Sequence, residues 1–284
     1  MDQFWASAIG RLTRAGIDDA ALEVEVLLRH ALDVDRAAFL AMQRELVPDE
    51  AAVEFERLLS RRESREPLAY ITGRREFYGM DFAITPAVLV PRQETELLVE
   101  LAIERAGIVN APTVLDVGTG SGCVVLAIAA HAPGADVHAV DLSEDALAVA
   151  VQNREANGLT DRVTFHKGDL LSGFVDTPTR WDVIVSNPPY IPSKVLETLS
   201  PEVRAEPRMA LDGGSDGLDP TRKLMEQAAG LLADDGRVLI EVFSDAGPGA
   251  ERLANGAFPD TPVTLHDDLL GLARVLEIGP VARR

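Results

Sequence analysis

Residues Thr113–Gly122 read TVLDVGTGSG, an apolar, β-branched segment that runs straight into three glycines spaced two apart. The first half is expected to be a strand of a buried parallel sheet, and the glycines a tight turn into a helix from Ser121. Small residues at such a turn let a ligand approach the backbone at the helix N-terminus. A dinucleotide-type GxGxxG turn would place its third glycine at 123, where the chain has Cys123, and this counts against a nicotinamide enzyme.

Working outward, strands and helices alternate. DVHAVD, a helix from Ser143, VTFHKGD and DVIVSN follow in turn; then come a helix around Thr221–Leu232, a strand Arg237–Phe243 and a helix near Gly249–Asn255. That alternation predicts a doubly wound, mostly parallel α/β sheet. The last two strands, Pro262–His266 and Leu272–Ile278, lie too close for a crossover helix, so one is expected to run antiparallel. Before the sheet, residues 2–65 read as a small bundle of amphipathic helices. Asp2 and Asp18 are expected caps, Leu22, Glu25, Val26, Leu28 and Arg29 form one mixed face, and Pro48 opens a helix through Phe55, Leu58 and Leu59. Gly79 between Arg74–Tyr78 and Asp81–Ile84 suggests a hairpin linker. The expected division is a helical domain 1–73, a hairpin linker 74–90 and a sheet domain 91–284.

Composition narrows the function. The net charge of −19, from 27 basic and 46 acidic residues, argues against tight binding of a phosphate backbone. It suits a basic protein partner better. The longest apolar run, Cys123–Ala130, is too short for a bilayer. The start MDQFWASAIGRLTRAG lacks the features of a signal peptide, so a cytoplasmic location is expected. A single cysteine and five scattered histidines give no metal-ligand spacing, and no metal is expected. The arginines Arg61, Arg62, Arg65, Arg74 and Arg75 fit a solvated face better than a contact surface, and Arg92 and Glu206 suggest an ion pair.

The second informative stretch is Asp182–Pro192, DVIVSNPPYIP. It places Asn187, Pro188, Pro189 and Tyr190 at the carboxyl end of a strand, the side on which open α/β sheets bind ligands. Two acceptors, the Asn187 side-chain oxygen and the Pro188 carbonyl, beside the flat ring of Tyr190, describe a slot for a planar group bearing an NH2. Asp141 ends the next strand, 23 residues beyond Gly118, where a carboxylate accepts hydrogen bonds from both ribose hydroxyls. Asp169 is placed to accept from an adenine amino group, with Leu142 packed on the base.

These motifs resemble the class I S-adenosylmethionine-dependent methyltransferases. With REPLAYITG, EFYG, VLVPRQETE, DVGTGSGC and EPRMALDGGSDGLD they are similar, over nearly the whole chain, to the bacterial peptide chain release factor glutamine methyltransferases, the PrmC/HemK family. The resemblance implies a Rossmann-like class I methyltransferase fold, with S-adenosylmethionine held by Asp116, Gly118, Thr119, Gly120, Ser121, Gly122, Asp141, Leu142, Asp169, Leu170 and Asn187. It implies a substrate too, the GGQ-loop glutamine of class 1 release factors, methylated on its side-chain amide nitrogen beside Asn187, Pro188 and Tyr190. Nucleic-acid amino-methyltransferases carry NPPY as well and form the alternative, for which a basic channel is missing. Leu170 stands where some relatives have a tryptophan.

Overall fold

The computed structural model describes residues 2–42 and 46–282 and divides them into two compact units, residues 1–74 with 200–205, and residues 75–199 with 206–284. The first unit contains helices α1 (Asp2–Arg14), α2 (Ala20–Leu32), α3 (Arg36–Ala41), α4 (Asp49–Glu63) and α5 (Leu68–Thr72). Leu12, Val24, Leu27, Leu28, Phe55, Leu58 and Leu59 recur at helical spacing and form its dry core. Pro48 is the N-cap of α4, where its missing N–H costs nothing. Asp18 does not cap α2. The helix starts one residue further on, with Asp19 at the cap position and no side-chain bond, so the buried face is Ala20, Val24, Leu27 and Leu28, and Leu22 is exposed. The cap expected of Asp2 lies outside the described side chains.

The second unit opens with a two-stranded hairpin, β1 (Arg74–Phe77) and β2 (Met80–Ala83), and helix α6 (Glu96–Ala106) preceded by a 3-10 turn at Gln93–Thr95. Then β3 (Thr113–Val117), α7 (Cys123–His131), β4 (Asp136–Asp141), α8 (Glu144–Ala156), β5 (Val163–Lys167) and β6 (Trp181–Ser186) alternate as the sequence predicts. The helix expected from Ser121 begins only at Cys123, because Gly122 takes a left-handed conformation at its cap. Ser143 does cap α8, accepting from the Ala146 N–H at 3.2 Å.

After β6 the chain leaves this unit. Ser200–Ala205, carrying the short helix α9 (Pro201–Arg204), groups with the first unit. There Glu202 accepts from Arg62 at 2.9 Å and from Arg65 Nη2 at 2.8 Å. The return brings α10 (Asp219–Ala228), β7 (Leu232–Glu241), α11 (Gly247–Ala257), β8 (Val263–Asp267) and β9 (Ala273–Ile278). The helix expected through Leu232 stops at Ala228. Gly230 follows, and Leu232–Arg237 extends the strand, whose first residue pairs with Trp181.

The sheet order is β5-β4-β3-β6-β7-β9-β8, parallel through β7, with β9 slotted antiparallel between β7 and β8. Register places the site. Val117 pairs with Val140 on one side and Ser186 on the other, and Ser186 pairs with Ile240. The next residue on each strand, Gly118, Asp141, Asn187 and Glu241, therefore stands in one row at the carboxyl edge. Beneath that row Leu115, Ile184, Val238 and Ile240 pack with Leu224, Met225, Ala250 and Ala254 of α10 and α11, a rigid base for side chains that must not move. No helix among the described residues is long and apolar enough to cross a membrane.

Candidate active site

Above the strand row lies a cavity of about 390 Å³. The turn after β3 forms its floor: Gly118 and Gly120 have φ of 76° and 55°, and a Cβ on either would project into open space. A ligand is thus able to come against bare backbone there. Asp141 stands beside the turn, its two oxygens accepting from the N–H groups of Gly120 and Ser143, both at 2.8 Å. Leu142, half exposed, together with Asp169, Leu170 and Val140, makes a second wall. Asp169 is ion-paired with Lys223 of α10, which lines the same cavity. Leu170 takes a left-handed φ of 52°.

Other members of the expected set serve the turn from beneath and do not line the cavity. Asp116 is 1% exposed and accepts from the Thr119 hydroxyl at 2.7 Å; burial pushes its pKa up to about 7, aided by the nearby Asp141. Ser121 is buried, with its carbonyl held by Asn153 at 2.9 Å, and Gly122 packs against Ala150 and Leu126. Cys123 is buried and its thiol is pushed up to about 12 by burial, which makes it inert.

At the end of β6, Asn187 and Pro189 reach the cavity, while Pro188 is buried behind them. Asn187 donates its Nδ2 to the Thr95 hydroxyl at 3.2 Å, and its Oδ1 is buried without a hydrogen-bond partner among the described residues. A buried amide oxygen in that state is costly, which marks it as an acceptor kept for a ligand. The Tyr190 ring stacks on Phe243, centroids 6.3 Å apart and 21° from parallel. Burial and the Glu241 charge raise its hydroxyl to about 12, so it stays neutral and acts through its face. Behind Tyr190, the backbone of Ile191 is knotted to the glycine-rich loop. Ile191 N donates to Leu211 O at 2.9 Å, Gly213 N to Ile191 O at 2.8 Å, and Ser193 N to Gly214 O at 2.8 Å. Arg92 and Glu206 do form an ion pair, and Glu206 also accepts from Val90 N at 2.9 Å.

The donor set fits S-adenosylmethionine. Bare glycine backbone and a carboxylate suit a ribose, and the apolar Leu142 and Leu170 suit a flat base.

Comparison with known proteins agrees. Residues 3–73 match the PrmC N-terminal domain and residues 93–203 the methyltransferase small domain. A release factor glutamine methyltransferase of Moorella thermoacetica is 43% identical over 263 residues, 92% of each chain, and one from Geobacter sulfurreducens is 45% identical over 254 residues, 89% of this chain and 86% of that one. This chain belongs to the release factor glutamine methyltransferase family. The family and its fold imply use of S-adenosylmethionine. A solved methyltransferase from Pyrococcus furiosus, 20% identical, superposes with a TM-score of 0.53 over 72% of this chain and 90% of that one, and speaks for the shared fold alone.

In this member of the release factor glutamine methyltransferase family, sequence reading missed Thr95, Lys223, Glu241 and Phe243. Glu241 was the most legible. It interrupts the apolar run VLIEVF at a strand end, where a carboxylate has no reason to be without a partner. Among the arginines, Arg62 is not on the surface: it is 5% exposed and held by Glu23 and Glu202.

Proposed function

We infer that this protein transfers a methyl group from S-adenosylmethionine to the side-chain amide nitrogen of the GGQ glutamine in class 1 release factors, in the cytoplasm. Family membership supports the reaction, and the unpartnered Asn187 Oδ1 carries the reading of the site. When bound, S-adenosylmethionine supplies a methyl on a positive sulfur, which keeps the breaking bond's electrons while the amide nitrogen's lone pair makes the new bond. The residues of the chain supply position. Gly118, Gly120 and Asp141 hold the nucleoside end, and Leu142, Asp169 and Leu170 hold the base. The Asn187 oxygen and the Pro188 carbonyl each accept one amide hydrogen, which aims the nitrogen and stabilises the positive charge that develops on it. Tyr190 holds the amide plane by its face. The surplus proton then leaves to water, and no strong base is required.

The helical unit is the part of the chain that the cofactor fold does not need, and we assign it the reading of the release factor surface beyond the single glutamine. The test is labelled S-adenosylmethionine with a release factor, its GGQ-to-GGA variant and duplex DNA, followed by mass mapping. One methyl on the GGQ glutamine is expected, with none on the other two. Label in DNA, or equal label in the variant, overturns the reading.

A further inference from the structure

One charged group stands at the site without a part in this chemistry. Glu241 ends β7 in the strand row beside Asn187, and it is 1% exposed. Its Oε2 has no hydrogen-bond partner among the described residues. Thr95, 2% exposed, lies beside both: its hydroxyl accepts from Asn187 Nδ2 at 3.2 Å, and its own hydrogen is left for the Glu241 carboxylate, whose charge it favours. A hydroxyl has one hydrogen. Given to an ionised Glu241, it leaves Thr95 only lone pairs for its other neighbour, so Asn187 must present its NH2 inward and its oxygen outward. That is the orientation in the structure.

We propose that Thr95 and Glu241 are positioning residues, which turn the Asn187 oxygen toward the substrate amide and strengthen it as an acceptor while Glu241 is ionised. The inference rests on the reading of the substrate as an amide NH2. Each donor in the chain points toward Glu241, so the bonds polarise one another and electron density rises on Asn187 Oδ1. Protonation reverses the direction. A neutral Glu241 donates to Thr95, Thr95 donates to Asn187, and Asn187 turns its NH2 outward against the NH2 of the substrate. The active form is therefore the ionised one.

The groups around Glu241 set where that change falls. Arg274 on β9 and Arg92 ahead of α6 favour its charge, but they are already paired with Asp268 and Glu206. Glu94 opposes it, and the neutral Tyr190 and Cys123 face it without helping. Burial outweighs all of these and lifts the carboxyl to about 7.

Two measurements on the full chain test this. Turnover on a release factor is followed against pH with saturating S-adenosylmethionine, for the wild type, E241Q, T95V and T95S. In parallel, difference infrared spectra of wild type minus E241Q follow the carboxyl band through a pH titration without cofactor. Wild-type turnover should rise with pH through neutrality. E241Q and T95V should lose that limb and about tenfold or more of kcat with cofactor affinity kept, and T95S should recover both. The infrared band should titrate near neutral pH. Wild-type kcat and pH profile in E241Q and T95V, or a band that titrates in the ordinary carboxylate range, overturns the proposal. If E241Q does not fold, the contrast between T95V and T95S decides the matter by the same criteria. A wild type that labels no release factor sinks the functional reading instead, and the infrared titration still decides the state of Glu241.

Discussion

Gly217→Ala should disable this protein although it replaces no residue that meets the ligand. Gly217 has φ of 82°, and a Cβ built on it falls 2.4 Å from the Tyr190 carbonyl oxygen and 3.3 Å from the Pro192 ring. Ordinary contact begins at 3.4 Å, so either Tyr190 or the loop must shift by 3.4 − 2.4 = 1.0 Å. The loop has little freedom to yield. Gly213 and Gly214 are bonded to Ile191 and Ser193, and Asp219 N is bonded to Gly213 O. Left-handed backbone costs alanine about 1 kcal/mol and the overpacking about 1–3 kcal/mol, for a total of roughly 2–4 kcal/mol. Melting should fall by roughly 4–12 °C. A shift of that size in the Tyr190 backbone should lower kcat about 100-fold. Affinity for S-adenosylmethionine should be kept, since Gly118, Gly120 and Asp141 are untouched. Gly256→Ala is the control: its Cβ meets nothing within 4 Å in α11, and it should be neutral or slightly stabilising. Stopped-time methyl transfer with calorimetry and thermal melts on both variants decides it. Wild-type turnover and melting in Gly217→Ala would refute the close-packing argument.

Asp141→Ala should weaken S-adenosylmethionine binding by about 10–100-fold in calorimetric titration, because it removes a charged acceptor and the brace on the Gly120 and Ser143 amides. Asn187→Ala should keep that affinity and lose about 100-fold in kcat, measured at saturating cofactor; an unchanged kcat removes Asn187 from the chemistry. In the helical unit, partial burial opposes the charge of Glu202, but hydrogen bonds from Arg65 and Arg62 bring its pKa down to about 2 from an ordinary 4.5. A depressed carboxylate stabilises the fold fully above about pH 4.5 and loses that contribution as pH falls toward 2. Glu202→Gln should therefore destabilise by on the order of 2 kcal/mol at neutral pH, after discount for partial solvent screening, and the gap to wild type should close in urea melts run under acid.

Much of this was legible from the chain. TVLDVGTGSG fixed a strand, turn and helix because a buried strand needs an unbroken apolar run and the turn needs glycine. DVIVSNPPY carried the slot for the same reason. Asp141 could be placed because strand ends line up in a parallel sheet. The sequence was silent on Thr95 and Lys223, which arrive from distant helical segments. Threonine and lysine carry no local signal of what they will meet. It also placed Asp116 and Ser121 with the ligand-facing residues, although Asp116 ends up inside β3 and both are buried beneath the turn. The extension of β7 back to Leu232 escaped notice because LLADDGR has no strand periodicity. Pairing with Trp181 overrides that weak local preference.

The excursion of Ser200–Ala205 into the helical unit bears on how the chain is made. Ribosomes deliver the sequence from its N-terminus, so helices α1 to α5 emerge as a bundle still short of its last piece. Residue 200 follows residue 74 by 126 positions, a wait of roughly 6–25 s at the usual pace of synthesis. Through that interval Arg62 has Glu23 and lacks Glu202, and Arg65 has the carbonyls of Ala15 and Gly16 but not Glu202. The first unit begun is thus completed only after β3 to β6 have been synthesised. A ribosome stalled before codon 200 should display a bundle that proteases cut readily, and one stalled well past codon 205 a bundle that resists them.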